Sequence, residues 1–118
     1  MTAEEGIYSA LRDLVADRVF PDEAPFSTPR PYITYQKVGG QSTQYVDGTQ
    51  ADRENGLYQF NVWADSRMQA NEVARQVENC LIAFQGFTAE SVGAFRSDYD
   101  PDIQRAGTIQ EFSIWSLR

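Results

Sequence analysis

The alternation of apolar and polar positions is clearest from Leu57 to Trp63, and its period changes a few residues later. Leu57, Gln59, Asn61 and Trp63 share one side of an extended chain, while Tyr58, Phe60, Val62 and Ala64 share the other. A period of two with aromatic and β-branched residues predicts a strand whose Tyr58/Phe60/Val62 side faces a core. The period breaks at Asp65-Ser66. Ser66 suits an N-cap, and Gln69 three positions on suits a capping box satisfying two orphan amides. Ala70, Val73, Ala74, Val77, Cys80, Leu81 and Phe84 then recur at intervals of three and four, opposite Arg67, Gln69, Glu72, Arg75, Gln76 and Glu78. This predicts an amphipathic helix of roughly five turns, closing near Gly86 in a left-handed glycine conformation. Cys80 falls on its apolar side and is expected to be a buried, reduced thiol.

The flanking elements read more weakly. Thr2 and Glu5 form a capping box, and Ile7, Leu11, Leu14 and Val15 give one apolar face, so a first helix is expected to run until Phe20-Pro21 stops it. Residues 20–31 carry Pro21, Pro25, Pro29 and Pro31 and read as an extended connector. Tyr32–Val38 is a first strand ended by Gly39-Gly40. Residues 39–56 are polar, with a hairpin signal at Asp47-Gly48. A loop longer than about 12–15 residues is usually functional or mobile, which makes this the first candidate contact surface. Glu90–Asp98 reads as a third strand, 99–107 as a turn region and Thr108–Leu117 as the last strand. Phe112 and Ile114 lie on one side of that last strand and Ile109 and Trp115 on the other, so both its faces should be covered, by the domain or by a neighbour. The expected architecture is a single α+β domain over 1–118, order α-β-β-α-β-β. It has an antiparallel four-stranded sheet with two helices packed on one face.

Composition narrows the function. At 118 residues the chain can bury roughly two-thirds of its unfolded surface. A net charge of −7 argues against coating nucleic acid, which needs concentrated Lys and Arg. One cysteine excludes an internal disulfide and a cysteine-built zinc site. The first residues lack the charged and apolar regions of a signal peptide, and no apolar run approaches the ~20 residues that span a bilayer, so a soluble cytoplasmic product is expected.

Candidate chemistry is sparse. There is no histidine, the commonest general base and transition-metal ligand. Neither a nucleophile elbow nor a phosphate-binding glycine loop occurs. Asp98-x-Asp100-x-Asp102 has calcium-loop spacing, but Ile103 and Ile109 stand where glycine and a closing acid belong, so a solvated turn is expected. No catalytic residue, metal ligand or cofactor site is expected. The candidates for contact are Tyr45, Asp52, Arg53 and Glu54 in the long loop, and Trp63 and Trp115 on the strands, since exposed aromatic and arginine side chains anchor interfaces.

Several stretches together resemble a family of small tail-completion proteins of tailed phages and prophages. Pro31-Tyr32-Ile33 opens the first strand after a proline-rich approach, and Phe60-Asn61-Val62-Trp63-Ala64-Asp65-Ser66 leads into the helix. Ala70, Val73-Ala74 and Val77 fit its small-and-aliphatic helix pattern, as do the first helix and the strand ending in Trp115. The likeness spans most of the chain, and its motifs are short and structural. It implies a non-enzymatic subunit similar to tail-terminator proteins, which assemble as rings, commonly hexamers, on a finished tail tube. It implies a tail tube protein and head–tail connector proteins as partners. It places the protein in the host cytoplasm during assembly and in the virion tail afterwards. An acidic ring lumen would repel passing DNA rather than grip it. The alternatives are a head–tail joining protein of the same architecture and a small-molecule-binding α+β dimer, which a deep apolar pocket would favour.

Overall fold

In the computed structural model, which describes residues 1–42, 52–102 and 105–117, Thr2 opens the first helix as the alternation suggests. The Thr2 hydroxyl accepts from the Glu5 amide at 3.2 Å, and the Glu5 carboxylate accepts from the Thr2 amide at 2.9 Å. The Thr2 amide, and the Thr2 hydroxyl donating to the same carboxylate at 2.9 Å, hold the Glu5 carboxyl below its usual pKa. Helix α1 (Ala3–Leu11) buries Ile7 and Leu11, and a single 3₁₀ turn, Arg12–Leu14, follows. The chain then reverses through Ala16 and Asp17, both at positive φ. The first helix therefore ends earlier than Pro21 would require, because this turn stops it.

Six strands follow in one sheet: β1 (Val19–Pro21), β2 (Tyr32–Gly39), β3 (Arg53–Ala64), β4 (Thr88–Ser91), β5 (Arg96–Asp100) and β6 (Arg105–Leu117). Helix α2 (Arg67–Ala83) lies between β3 and β4. The order is β1-β2-β3-β6-β4, with β5 also on β6. β1 runs parallel to β2, and the other pairings are antiparallel. The central pair, β3 with β6, holds register from Arg53↔Leu117 to Ala64↔Ala106. β4 and β5 lie end to end along the far edge of β6, opposite 112–115 and 105–109.

Alternation decides what packs where. Tyr58, Phe60 and Val62 join Phe112 and Ile114, Ile33 and Tyr35, and the helix residues Ile7, Leu11, Val73, Val77 and Leu81 in one buried cluster. Phe60 and Phe112 meet edge to face, 5.5 Å between centroids at 86°. Both helices thus cover the same face of the sheet.

The four-stranded antiparallel sheet is overturned: the sheet has six strands and is mixed, and the order is α-β-β-β-α-β-β-β. β1 lies in the proline-rich connector, three residues long, with Pro21 able to sit on a sheet edge where no ladder donor is required. The stretch read as one strand over 90–98 is two strands parted by Val92–Phe95. β3 begins at Arg53 and β6 at Arg105, so the expected 39–56 loop loses its last four residues to the sheet. Ser66 caps α2 by accepting from the Gln69 amide at 3.1 Å, but the Gln69 side chain accepts from the Asp65 amide, not that of Ser66. The helix closes at Phe84 in extended backbone (φ −67°, ψ 132°), with no left-handed glycine at Gly86. Cys80 is partly buried against the core, and burial raises its thiol pKa.

Candidate functional site

The face of the sheet that the helices leave free carries Leu57, Gln59, Asn61 and Trp63 from β3, and Ile109, Glu111, Ser113 and Trp115 from β6. All eight are half-buried. Apolar side chains interleaved with amides on a broad open face match the mixed composition of protein interfaces. Arg96 of β5 clasps Glu111 there through two bonds of 2.9 and 2.8 Å. The hydrogen bonds from Arg96 hold the Glu111 carboxyl below its usual range.

The expected contact residues do not converge on one spot. Trp63 pairs with Gly107 and Trp115 with Asn55. Trp63 and Asn55 are eight positions apart on β3, roughly 27 Å at about 3.4 Å per residue, so the two indoles mark opposite ends of the open face. Arg53 belongs to the Trp115 end, where its guanidinium donates to the Trp115 carbonyl at 3.3 Å. Glu54 is the next residue of the strand and points to the other face. Asp52 is exposed just before β3. Tyr45 and the Asp47-Gly48 hairpin signal lie outside the described residues.

Other residues give this surface its shape, and their sequence signals are faint. Asn55 is buried; its amide donates to the Ser113 hydroxyl at 2.8 Å, and its carbonyl oxygen accepts from the Gln41 amide at 3.0 Å. It thereby ties Gln41, just past the end of β2, to β3 and β6. Phe26 is wholly exposed, on a turn braced by the Thr28 amide and hydroxyl, which donate to the Pro25 carbonyl at 3.2 and 2.6 Å. An aromatic ring held out on a braced turn is a ready anchor. Its only sequence trace is a lone aromatic between prolines.

Asp98 and Asp100 sit in β5, not in a chelating loop. The Asp98 carboxylate accepts from the Tyr99 amide at 2.9 Å and that of Asp100 from the Asp102 amide at 3.1 Å. Among the described residues, no three His, Cys, Asp or Glu side chains gather to hold a metal ion. Among the described residues, no helix is long and apolar enough to cross a membrane. On the helix-covered face, the Tyr35 hydroxyl donates to Glu4 at 3.0 Å. Burial, then that bond, raises its pKa.

Sheet, helices and open face together define a small α+β subunit built to present a surface. A family model described as tail completion protein gp17 matches residues 8–116. The chain belongs to that family, and its role is a structural one in completing a phage tail, as part of the virion tail. Among solved structures 31 chains match. One of them, a protein whose designation carries no functional words, superposes with a TM-score of 0.57 at 11% identity, covering 100% of this chain and 97% of that one. At that identity the likeness shows the fold alone. No curated protein matches.

Proposed function

We propose that the protein caps the end of the tail tube and joins it to the head connector through protein–protein contacts, with copies associating as a ring. The observation that carries this reading is the half-exposed sheet face that carries Trp63, Leu57, Ile109 and Trp115 on the side opposite both helices. Arg53 adds a charged side chain at the Trp115 end, and Phe26 offers a second, separate exposed anchor. Their work is contact, and no chemistry is asked of them.

The test is solution mass by light scattering across a concentration series, alone and with purified tail tubes, for the wild type and two variants. Arg53→Glu with Glu54→Arg, and separately Phe26→Ser, should weaken ring formation or tube capture by about tenfold, the loss of a modest anchor, while far-UV circular dichroism stays unchanged. A protein that neither self-associates nor binds tubes at any concentration removes the reading.

A further inference from the structure

Strand β3 carries the one asparagine of this chain that precedes a glycine. Asn55, Asn61, Asn71 and Asn79 are followed by Gly56, Val62, Glu72 and Cys80. Asparagine is chemically labile, and its decay begins when the amide nitrogen of the next residue attacks the side-chain carbonyl carbon. A following side chain hinders that attack and glycine does not, so Asn55-Gly56 is the most vulnerable of the four pairs. Packing nevertheless demands both residues. A Cβ at Gly56 would come within 2.4 Å of Tyr58 Cε2 and 3.2 Å of Lys37 Cε, and Tyr58 is itself buried. Asn55 is only 6% exposed, and its side chain joins three strands' worth of backbone.

The fold disarms this pair at each reacting atom. The leaving group, Nδ2 of Asn55, donates to the Ser113 hydroxyl at 2.8 Å and to the Ile114 carbonyl at 3.4 Å. Oδ1 accepts from the Gln41 amide at 3.0 Å, so the side chain is held from both ends. The nucleophile is committed as well. Glu111 turns its carbonyl to the far edge of β6, where it accepts from the Val92 amide at 3.0 Å. Ladder alternation therefore turns the backbone groups of Ile114 towards β3. Gly56 stands opposite Ile114, and its N–H belongs to that ladder. Extended backbone also sends successive residues to opposite sides, away from the ring closure that the reaction needs.

We propose that Asn55 is a deamidation site gated by the pairing of β3 with β6: stable in the closed sheet, and converted one way in any chain whose sheet stays open. In an open chain the Gly56 nitrogen gives its proton to solvent base and attacks Cγ of Asn55. The N–Cγ bond forms, the Cγ–Nδ2 bond breaks, and Nδ2 takes up a proton and leaves as ammonia. Water then adds to one of the two carbonyls of the five-membered imide. The product is aspartate or its isoaspartyl isomer, in which the chain runs through the side-chain carbon; nothing is oxidised or reduced. Both products resist closure. Aspartate brings a carboxylate to a buried position and leaves no donor there for the Ile114 carbonyl. The isoaspartyl form adds a backbone atom to a strand whose register with β6 is unbroken from Arg53 to Ala64. The site thus marks chains that failed to close, whatever the finished subunit binds.

The experiment incubates the full chain at mildly alkaline pH, in buffer and in guanidinium chloride, and follows each asparagine by mass spectrometry of proteolytic peptides. Asn55 should convert at least about tenfold faster in denaturant than in buffer, because the folded chain reacts only through its opening equilibrium. In denaturant it should be the first asparagine lost. Gly56→Ala should slow that loss about tenfold there, where the clash with Tyr58 has no bearing. Asn55→Asp, the product of the reaction, should shift the folding equilibrium about tenfold or more towards the unfolded chain in a denaturant titration. Failure of that variant to fold is the extreme of the same result. Equal rates in buffer and denaturant, earlier loss of another asparagine, no effect of Gly56→Ala, or an Asn55→Asp chain as stable as the wild type would each overturn the proposal.

Discussion

The indole of Trp63 lies across Gly107, its partner on the neighbouring central strand. A Cβ built at Gly107 would come within 2.7 Å of the indole Cε3, 2.8 Å of Cζ3 and 2.9 Å of the Val62 carbonyl oxygen. The indole could swing aside, but the carbonyl belongs to the sheet. Gly107→Ala should therefore destabilise the protein by about 1–3 kcal/mol, the ordinary cost of overpacking. It should also change the near-ultraviolet circular dichroism of Trp63, and urea denaturation with that spectrum checks both. An unchanged midpoint would mean that the strands part easily here.

Gln110 is a polar residue in an apolar layer. It is buried on the helix-covered face of β6, where its amide donates to Glu78 at 2.9 Å and to the Gly93 carbonyl at 2.8 Å. It ties α2, β6 and the β4–β5 link together. Gln110→Leu keeps the bulk but leaves the Gly93 carbonyl without this donor, and should cost about 1–3 kcal/mol in a denaturant titration. Hydrogen exchange should quicken around 92–95 before it quickens in β3.

Stability should fall in alkali through the tyrosines. Burial, and for Tyr35 also its bond to Glu4, raises the pKa of Tyr35 and Tyr58 in the folded protein. The unfolded chain ionises near the usual tyrosine value of about 10, so their contribution is complete below that pH and is lost progressively above it, as pH rises towards the raised folded values. Denaturant midpoints between about pH 8 and pH 11 should drop for the wild type and drop less for Tyr35→Phe. Parallel curves would assign the alkaline loss to other groups.

Two substitutions on α2 separate its faces. Val77 is buried in the core and Met68 is exposed in the first turn. Val77→Asp places an unpaired charge among apolar groups and should cost about 4 kcal/mol or more, a large share of a typical domain's stability. Met68→Asp puts a negative charge near the positive end of the helix dipole and should be neutral or slightly stabilising. Thermal melts of the two decide it.

What the sequence made legible follows from how strongly each element repeats its period. β3 and α2 carry long runs in which every buried position agrees, so both emerged with the correct inward side. β1 has three residues, one of them proline, and exists because β2 lies beside it. No local pattern could announce it. β4 and β5 are short and mostly exposed, and their pairing is dictated by β6. Trp63 and Trp115 were picked out correctly as large side chains on the side away from Phe60 and Phe112, because alternation alone decides that. The recess of about 400 Å³ beside Trp63 was not legible. Asp22, Tyr32, Trp63 and Asp100 lie far apart in the chain, and only the pairing of β2 with β3 and of β5 with β6, together with the left-handed turn at Asp22, brings them together.

The central place of β6 bears on how the chain is made. Residues 105–117 follow every other described element in synthesis, yet they separate β3 from β4 and β5. Until they leave the ribosome, β1–β2–β3 and the β4–β5 segment have no shared strand, and the whole inner edge of β3 stands unpaired. Such an edge invites pairing with the wrong chain. A nascent subunit stalled before Arg105 should be a client for chaperones. Closing the sheet is then one late event, and the open face is first created by it.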